Sequence, residues 1–168
     1  MNSAAVSFEI KRYESGIQLL KDSIKDVLPE QMTLHPIPEK WSIAECIFHI
    51  SDMESVFADR MKRIIAMDNP ALISADENRY ASELAYNKRD VKEEILLFTL
   101  TRNQMLRILN SIPESSFVRT GVHSEAGTLS LFQVLKKSCT HLEHHLWHMN
   151  EKRMNYGLSL LPIQPSSD

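Results

Sequence analysis

Near its C-terminal end the chain gathers four of its seven histidines into the stretch Thr140-His141-Leu142-Glu143-His144-His145-Leu146-Trp147-His148. They form two pairs at i, i+4: His141 with His145, and His144 with His148. On a helix such positions lie one above the other on the same face. Two imidazoles placed that way can grip one metal ion, as His-x-x-x-His does in zinc sites. A lone exposed histidine is ordinarily a polar surface residue, but a run this dense asks for a reason.

Helix phasing separates the two pairs. Leu131, Phe132, Leu135, Cys139, Leu142, Leu146 and Met149 fall on one stripe at the helical period. His145 stands roughly 80° and His141 roughly 120° from the stripe centre, on the same side. His148 is farther round and His144 points directly away. The first pair therefore edges the buried face, and His144 and His148 read as surface residues.

The elements that must position these residues are helices. The chain has 168 residues, 43% hydrophobic and 24% charged, with only four glycines. That is one domain's worth, spanning 1–168, with a core of ordinary size and few turn signals. The net charge of −3 gives no electrostatic reason to expect nucleic acid as a partner. No apolar run is long enough to span a bilayer. Met1 to Glu9 has no basic region followed by an apolar core, so no signal peptide is expected. Cys46 and Cys139 sit in helical patterns and read as reduced core residues, with a catalytic thiol as the minor alternative. A cytoplasmic location is expected from them.

Four amphipathic helices are expected. The first runs from about Ala4 to Val27 and Pro29 ends it. Leu34 to Lys40, with Pro36 and Pro38, is an extended connector. The second helix opens on a capping box, Ser42 with Glu45, and continues through Ile43, Ile47, Ile50, Met53, Phe57, Met61 and Ile64 to near Asn69-Pro70. A polar loop from Asn69 to Lys88 follows, long enough to be functional or to contain a short helix. Its Tyr80 and Tyr86 either pack on the bundle end or border a cavity.

The third helix opens at Asp90 and Glu93. It carries Val91, Ile95, Phe98, Arg102, Met105, Leu106 and Leu109. Residues 115–128 read as a loop or irregular hairpin. Ser130 and Gln133 cap the fourth helix, which runs to about Asn155, with Gly157 as its stop. Pro162 to Asp168 reads as a frayed tail. With no convincing strand pattern, the fold class is all-α: a four-helix bundle with long inter-helix loops, whose length permits crossover connections.

A third ligand is needed for a catalytic site with an open position. The candidates are His35 in the connector, His123 in the glycine-flanked loop, and His49 inside the second helix. By periodicity His49 lies off the apolar stripe, on the side of Glu45, Asp52 and Val56, where a surface residue is expected.

The stretch Lys40-Trp41-Ser42-Ile43-Ala44-Glu45-Cys46-Ile47-Phe48-His49-Ile50 resembles the second-helix signature of the DinB/YfiT-like superfamily: Trp, Ser or Thr, two residues, Glu, three residues, His. The resemblance continues through Asp52, Glu54 and Arg60, through Gly121 to Leu131, and into the His-x-x-His-His of His141, His144 and His145. It covers roughly 36–150. It implies a four-helix bundle, often homodimeric, that binds a divalent metal through His49, His141 and His145. The pair that helix phasing favours is the pair the family uses.

The resemblance also implies an activity. Members add low-molecular-weight thiols to electrophiles, or act as metal-dependent hydrolases or isomerases on thiol conjugates. The expected function is a divalent-metal-dependent enzyme, a thiol S-transferase or related hydrolase, taking a small thiol and an electrophile. Nickel, zinc and manganese all suit imidazole and water ligands. Asp52, Glu45 and His123 are candidates to support the ligands or touch substrate. For Glu45 the capping role is preferred, and for Asp52 a solvated or supporting carboxylate. The alternatives are a non-catalytic metal-binding stress-response or structural dimer, and a helical interaction module with incidental histidines.

Overall fold

A computed structural model describes residues 3–163. Four long helices make the bundle: α1 (Ser3–Ser23), α2 (Ile43–Ala66), α4 (Val91–Ser111) and α5 (Leu131–Asn155). Between them lie β1 (Ala71–Leu72), the short α3 (Glu77–Glu83), and the hairpin β2 (Thr120–His123) and β3 (Gly127–Ser130). The bundle expected from the sequence is the observed fold.

Local chemistry fixes the helix starts. Ser42 Oγ accepts from the Glu45 amide at 3.2 Å, and Glu45 Oε2 accepts from the Ser42 amide at 2.7 Å. Ser130 and Gln133 repeat this at α5, and Asp90 accepts from the amides of Lys92 and Glu93 at α4. Each cap satisfies amides that the first helical turn leaves unpaired. Helix α1 stops at Ser23, short of the expected Val27, and Asp26 leaves it through a left-handed turn at φ 64°.

Helix α2 packs on α4 and α5, and α1 packs on the same two helices. The chain-consecutive pairs α1/α2 and α4/α5 therefore stand across the bundle from one another. The connections from α1 to α2 and from α4 to α5 are crossovers, as their length allowed, whereas the longest one joins the neighbours α2 and α4.

The hairpin is one of the two readings open for residues 115–128, and the parallel strand β1 is an addition to the expected all-helical pattern. β1 runs parallel to β2, with Ala71 beside Val122, and β2 pairs antiparallel with β3. Strands of two to four residues are too short to show an alternating pattern in sequence. Gly121 is required here, because a Cβ would come within 2.9 Å of the Pro70 carbonyl oxygen. The expected loop 69–88 is thereby stitched to the hairpin, and it carries α3 against α2.

Two hydrophobic clusters fill the bundle, one around Tyr13, Met61, Met105 and Leu135, the other around Leu20, Ile47, Phe98 and Leu146. The fully buried Arg102 ties all four long helices together. It donates to Glu54 Oε2 at 3.0 Å, to the Tyr13 carbonyl at 2.8 Å and to Ser138 Oγ at 3.3 Å. Ser138 and the Tyr13 hydroxyl also donate to Glu54. Leu161 is buried and exchanges two hydrogen bonds with the Asn150 side chain, and Ile163 packs on the second cluster. The rest of the expected frayed tail, 164–168, lies outside the described residues. Among the described residues no helix is long and apolar enough to cross a membrane.

Candidate metal centre

Three imidazoles meet between α2 and α5. Helical spacing stacks His145 over His141, and α2 brings His49 across to them. His49 Nε2 lies 3.0 Å from His141 Nε2, which lies 3.1 Å from His145 Nε2. One nitrogen from each ring falls within 4.8 Å of the others. The expectation that His49 is a surface residue is wrong, since it is 0% exposed. Periodicity assumes one buried face, whereas α2 is covered by α4, α5 and α3 on different sides. The Trp41 ring adds a further wall, 4.9 Å from the His49 ring and stacked 6.2 Å from that of His145. Phe57 lies 5.5 Å from the His141 ring on the other side.

Burial decides the charge of this cluster. Desolvation pushes His49 down to about 4, although Asp52 acts in the opposite sense. It pushes His141 to about 3 and His145 to about 2, and the neighbouring histidines reinforce both shifts. All three rings are neutral at ordinary pH and carry a free lone pair, the form that ligates a metal.

The protein alone does not complete this arrangement. An imidazole nitrogen offers one N–H or one lone pair, so His141 Nε2 can complete only one of its two contacts. Among the described residues His49 Nδ1 has no hydrogen-bond partner either. A tetrahedral site with metal–nitrogen bonds of about 2.05 Å would set its ligand nitrogens about 3.3 Å apart, close to the separations here. The donor set fits a divalent transition metal.

The other candidates are placed differently. Glu45 caps α2 and accepts from His35 at 2.9 Å. Burial raises its pKa, but the Ser42 and His35 hydrogen bonds outweigh that and hold it below the ordinary value. Asp52 takes both forks of Arg89 at 2.8 and 2.9 Å and the Tyr86 hydroxyl at 3.0 Å. Tyr86 is thus a packed residue, whereas Tyr80 borders a cavity. His123 stands on β2, where its Nδ1 accepts from the amides of Glu125 and Ala126. It lines a cavity of about 680 Å³ that reaches His141. His144 is exposed and His148 half-buried. Cys46 and Cys139 are free and buried, their thiols pushed up to about 11 and about 12 by desolvation.

Sequence reasoning missed Glu77. Its Oε2 lies 3.9 Å from His49 Nε2 while the side chain is 59% exposed, so a carboxylate borders the open side of the cluster. The loop that carries it is long enough to be functional. Nothing local in the sequence distinguished Glu77 from its polar neighbours, because the β1–β2 pairing positions it.

Known proteins share this arrangement of helices. A protein of Oceanobacillus iheyensis, named as a candidate metal-dependent hydrolase, is 25% identical over 140 residues, 83% of this chain and 81% of its own. One of Halalkalibacterium halodurans with the same kind of name is 22% identical over 85% of this chain and 81% of its own. The structure of YfiT from Bacillus subtilis, described as having an unusual four-helix bundle topology, superposes with a TM-score of 0.86. It covers 95% of this chain and 91% of its own at 18% identity. The mycothiol-dependent maleylpyruvate isomerase superposes at 0.69, covering 92% of this chain and 62% of its own at 11% identity. The family model of the DinB superfamily matches residues 12–149, and the chain belongs to that superfamily.

Proposed function

We propose that the protein is a divalent-metal-dependent enzyme that activates a small thiol, or water, against an electrophilic substrate. A thiol S-transferase is the leading reaction and hydrolysis of a related substrate the neighbouring one. The observation that carries this reading is the convergence of three neutral imidazole nitrogens, from the buried His49 and the half-buried His141 and His145. The names of the relatives, and the thiol dependence in the name of the isomerase with this fold, support it.

The three Nε2 atoms would hold the ion. When bound, such an ion lowers the pKa of coordinated water towards neutrality and favours a thiolate over a thiol. The chain supplies the rest. Trp41 and Phe57 shield the imidazoles from bulk water. Glu77 Oε2, at the exposed side, is placed to take the proton released by an incoming thiol or water. Arg89 holds Asp52 through two hydrogen bonds, which keeps that carboxylate on its own side of α2.

Metal analysis of untagged protein, followed by turnover assays with several thiols and electrophiles, tests the reading. Stoichiometric nickel, zinc or manganese is expected, with activity lost on chelation and in His145→Ala. Full activity without metal would overturn it. The homodimer implied by the family resemblance is a separate proposal, checked by light scattering.

A further inference from the structure

The cavity beside His141 has a chemical character of its own. Its volume of about 680 Å³ lies in the range of about 300–1,000 Å³ typical of small-molecule sites. Arg60, Lys136 and Lys137 contribute cations to its wall, against a single acid, Glu125. A neighbouring cavity of about 410 Å³ shares Arg60, but there Arg60 and Arg63 face two acids, Asp52 and Asp59, so its wall carries no excess of cations.

Arg60 is the unusual member. It is only 8% exposed, yet its hydrogen bonding amounts to one bond, from Nη2 to the Ile73 carbonyl at 2.6 Å. Its Nε is buried with no partner, and among the described residues no carboxylate reaches it as an ion pair. The other buried arginines are better matched. Arg102 meets Glu54, and Arg153 donates to three carbonyls. A buried cation lacking a counter-charge is costly, and an anion arriving from outside would complement it. Asp59 and Glu125 act on Arg60 only from longer range. The guanidinium lies 5.7 Å from the centre of the Phe57 ring, whose other contact is the His141 ring at 5.5 Å. Arg60 and the histidine cluster are thus one phenyl ring apart.

We propose that this cavity binds the substrate through an anionic group, a carboxylate or a phosphate, on Arg60 with Lys136 and Lys137 at the rim, the remainder lying along Phe57 towards His141. The proposal rests on the metal-centre reading for the identity of the reacting end, but the anion site stands or falls separately. His123 lines the same cavity.

Calorimetric titration of the full chain, as purified and after chelation, with succinate, inorganic phosphate and neutral succinamide tests it. Succinate or phosphate should bind and succinamide should not. Binding should weaken about tenfold or more in Arg60→Gln, and in the double variant Lys136→Gln/Lys137→Gln. Arg60→Lys should recover part of the loss. Preference for succinate assigns a carboxylate ligand, and preference for phosphate a phosphorylated one. If Arg60→Gln does not fold, the exposed-lysine variant carries the test.

With cobalt-loaded protein, 3-mercaptopropionate should produce a thiolate absorption band at about tenfold lower concentration than 2-mercaptoethanol. Equal binding of succinamide, or no loss in any folded variant, would overturn the anion site. Metal content of the protein as purified, before any chelation, separates the two readings. Anion discrimination in protein purified without stoichiometric metal overturns the metal centre alone, and metal without discrimination overturns the anion site alone.

Discussion

Arg102, fully buried, and His141, half-buried, both sit inside the bundle among polar neighbours, and both join α2 to α5. Around Arg102 the partners balance. Glu54 supplies the counter-charge, and Tyr13, Ser138 and a backbone carbonyl take up the remaining hydrogen bonds. Around His141 they do not: three nitrogens face one another, each with at most one lone pair or one proton to give. A buried polar cluster that closes on itself holds a fold together. One left open towards a common point holds something else. The difference lies first in the count of donors and acceptors, and second in exposure, since Arg102 is fully buried and His141 borders a cavity.

The comparison breaks most visibly at Arg102. Replacing it with Ala leaves Glu54 as an uncompensated buried charge and should cost about 3–5 kcal/mol of unfolding free energy, measured by urea denaturation. The space it vacates adjoins Gly16, where an added Cβ would meet Arg102 Nη1 at 2.0 Å. Metal affinity of the folded fraction should stay as in the parent. A loss of metal affinity equal to that of a histidine variant would show that the two clusters are one unit.

His141→Ala should do the reverse. At free metal about a thousandfold above Kd, an ion bound only to the folded state adds about 4 kcal/mol. That increment should vanish in the variant, while its chelated form unfolds close to the chelated parent. Thermal melts with and without chelator check this. A chelator-sensitive melt in His141→Ala would remove the histidine from the centre.

Acid separates the clusters as well. Each of His49, His141 and His145 has a folded pKa far below its ordinary 6.5. Below pH 6.5 the unfolded chain therefore binds protons that the folded chain refuses. Metal-free stability is full above that pH and falls as pH drops towards the folded values, by up to about 1.4 kcal/mol per unit for each histidine. The slope between pH 6 and 4.5 should be shallower in His141→Ala. An unchanged slope would mean that the acid sensitivity arises elsewhere.

The Arg102 tie and the histidine centre were unequally legible in the sequence. His141 and His145 could be read because i, i+4 is a local relation, and the Ser42–Glu45 and Ser130–Gln133 boxes for the same reason. Arg102 showed itself only as a charge on an apolar stripe, and its partners Tyr13, Glu54 and Ser138 are scattered over three other helices. His49 could not be placed by periodicity, since a helix packed on several sides buries more than one stripe. The Trp-to-His signature identified it instead. Glu77 and the cavity wall at Arg60 depend on a parallel strand pairing of two residues per strand, which no local pattern announces.

The smallest expected change in stability belongs to Glu77→Gln. The side chain is exposed and sits in the first turn of α3, where losing its charge should cost within about 0.5 kcal/mol. If its Oε2 only happens to lie near His49, turnover should follow stability and barely move. If it takes the proton of the incoming nucleophile, turnover should fall about a hundredfold, and metal content should be unchanged because the three imidazoles are intact. Such a split, in which an exposed residue matters for rate and not for folding, is what an open cluster predicts and a closed one forbids. No exposed side chain beside Arg102 could show it, since that cluster offers no face to solvent.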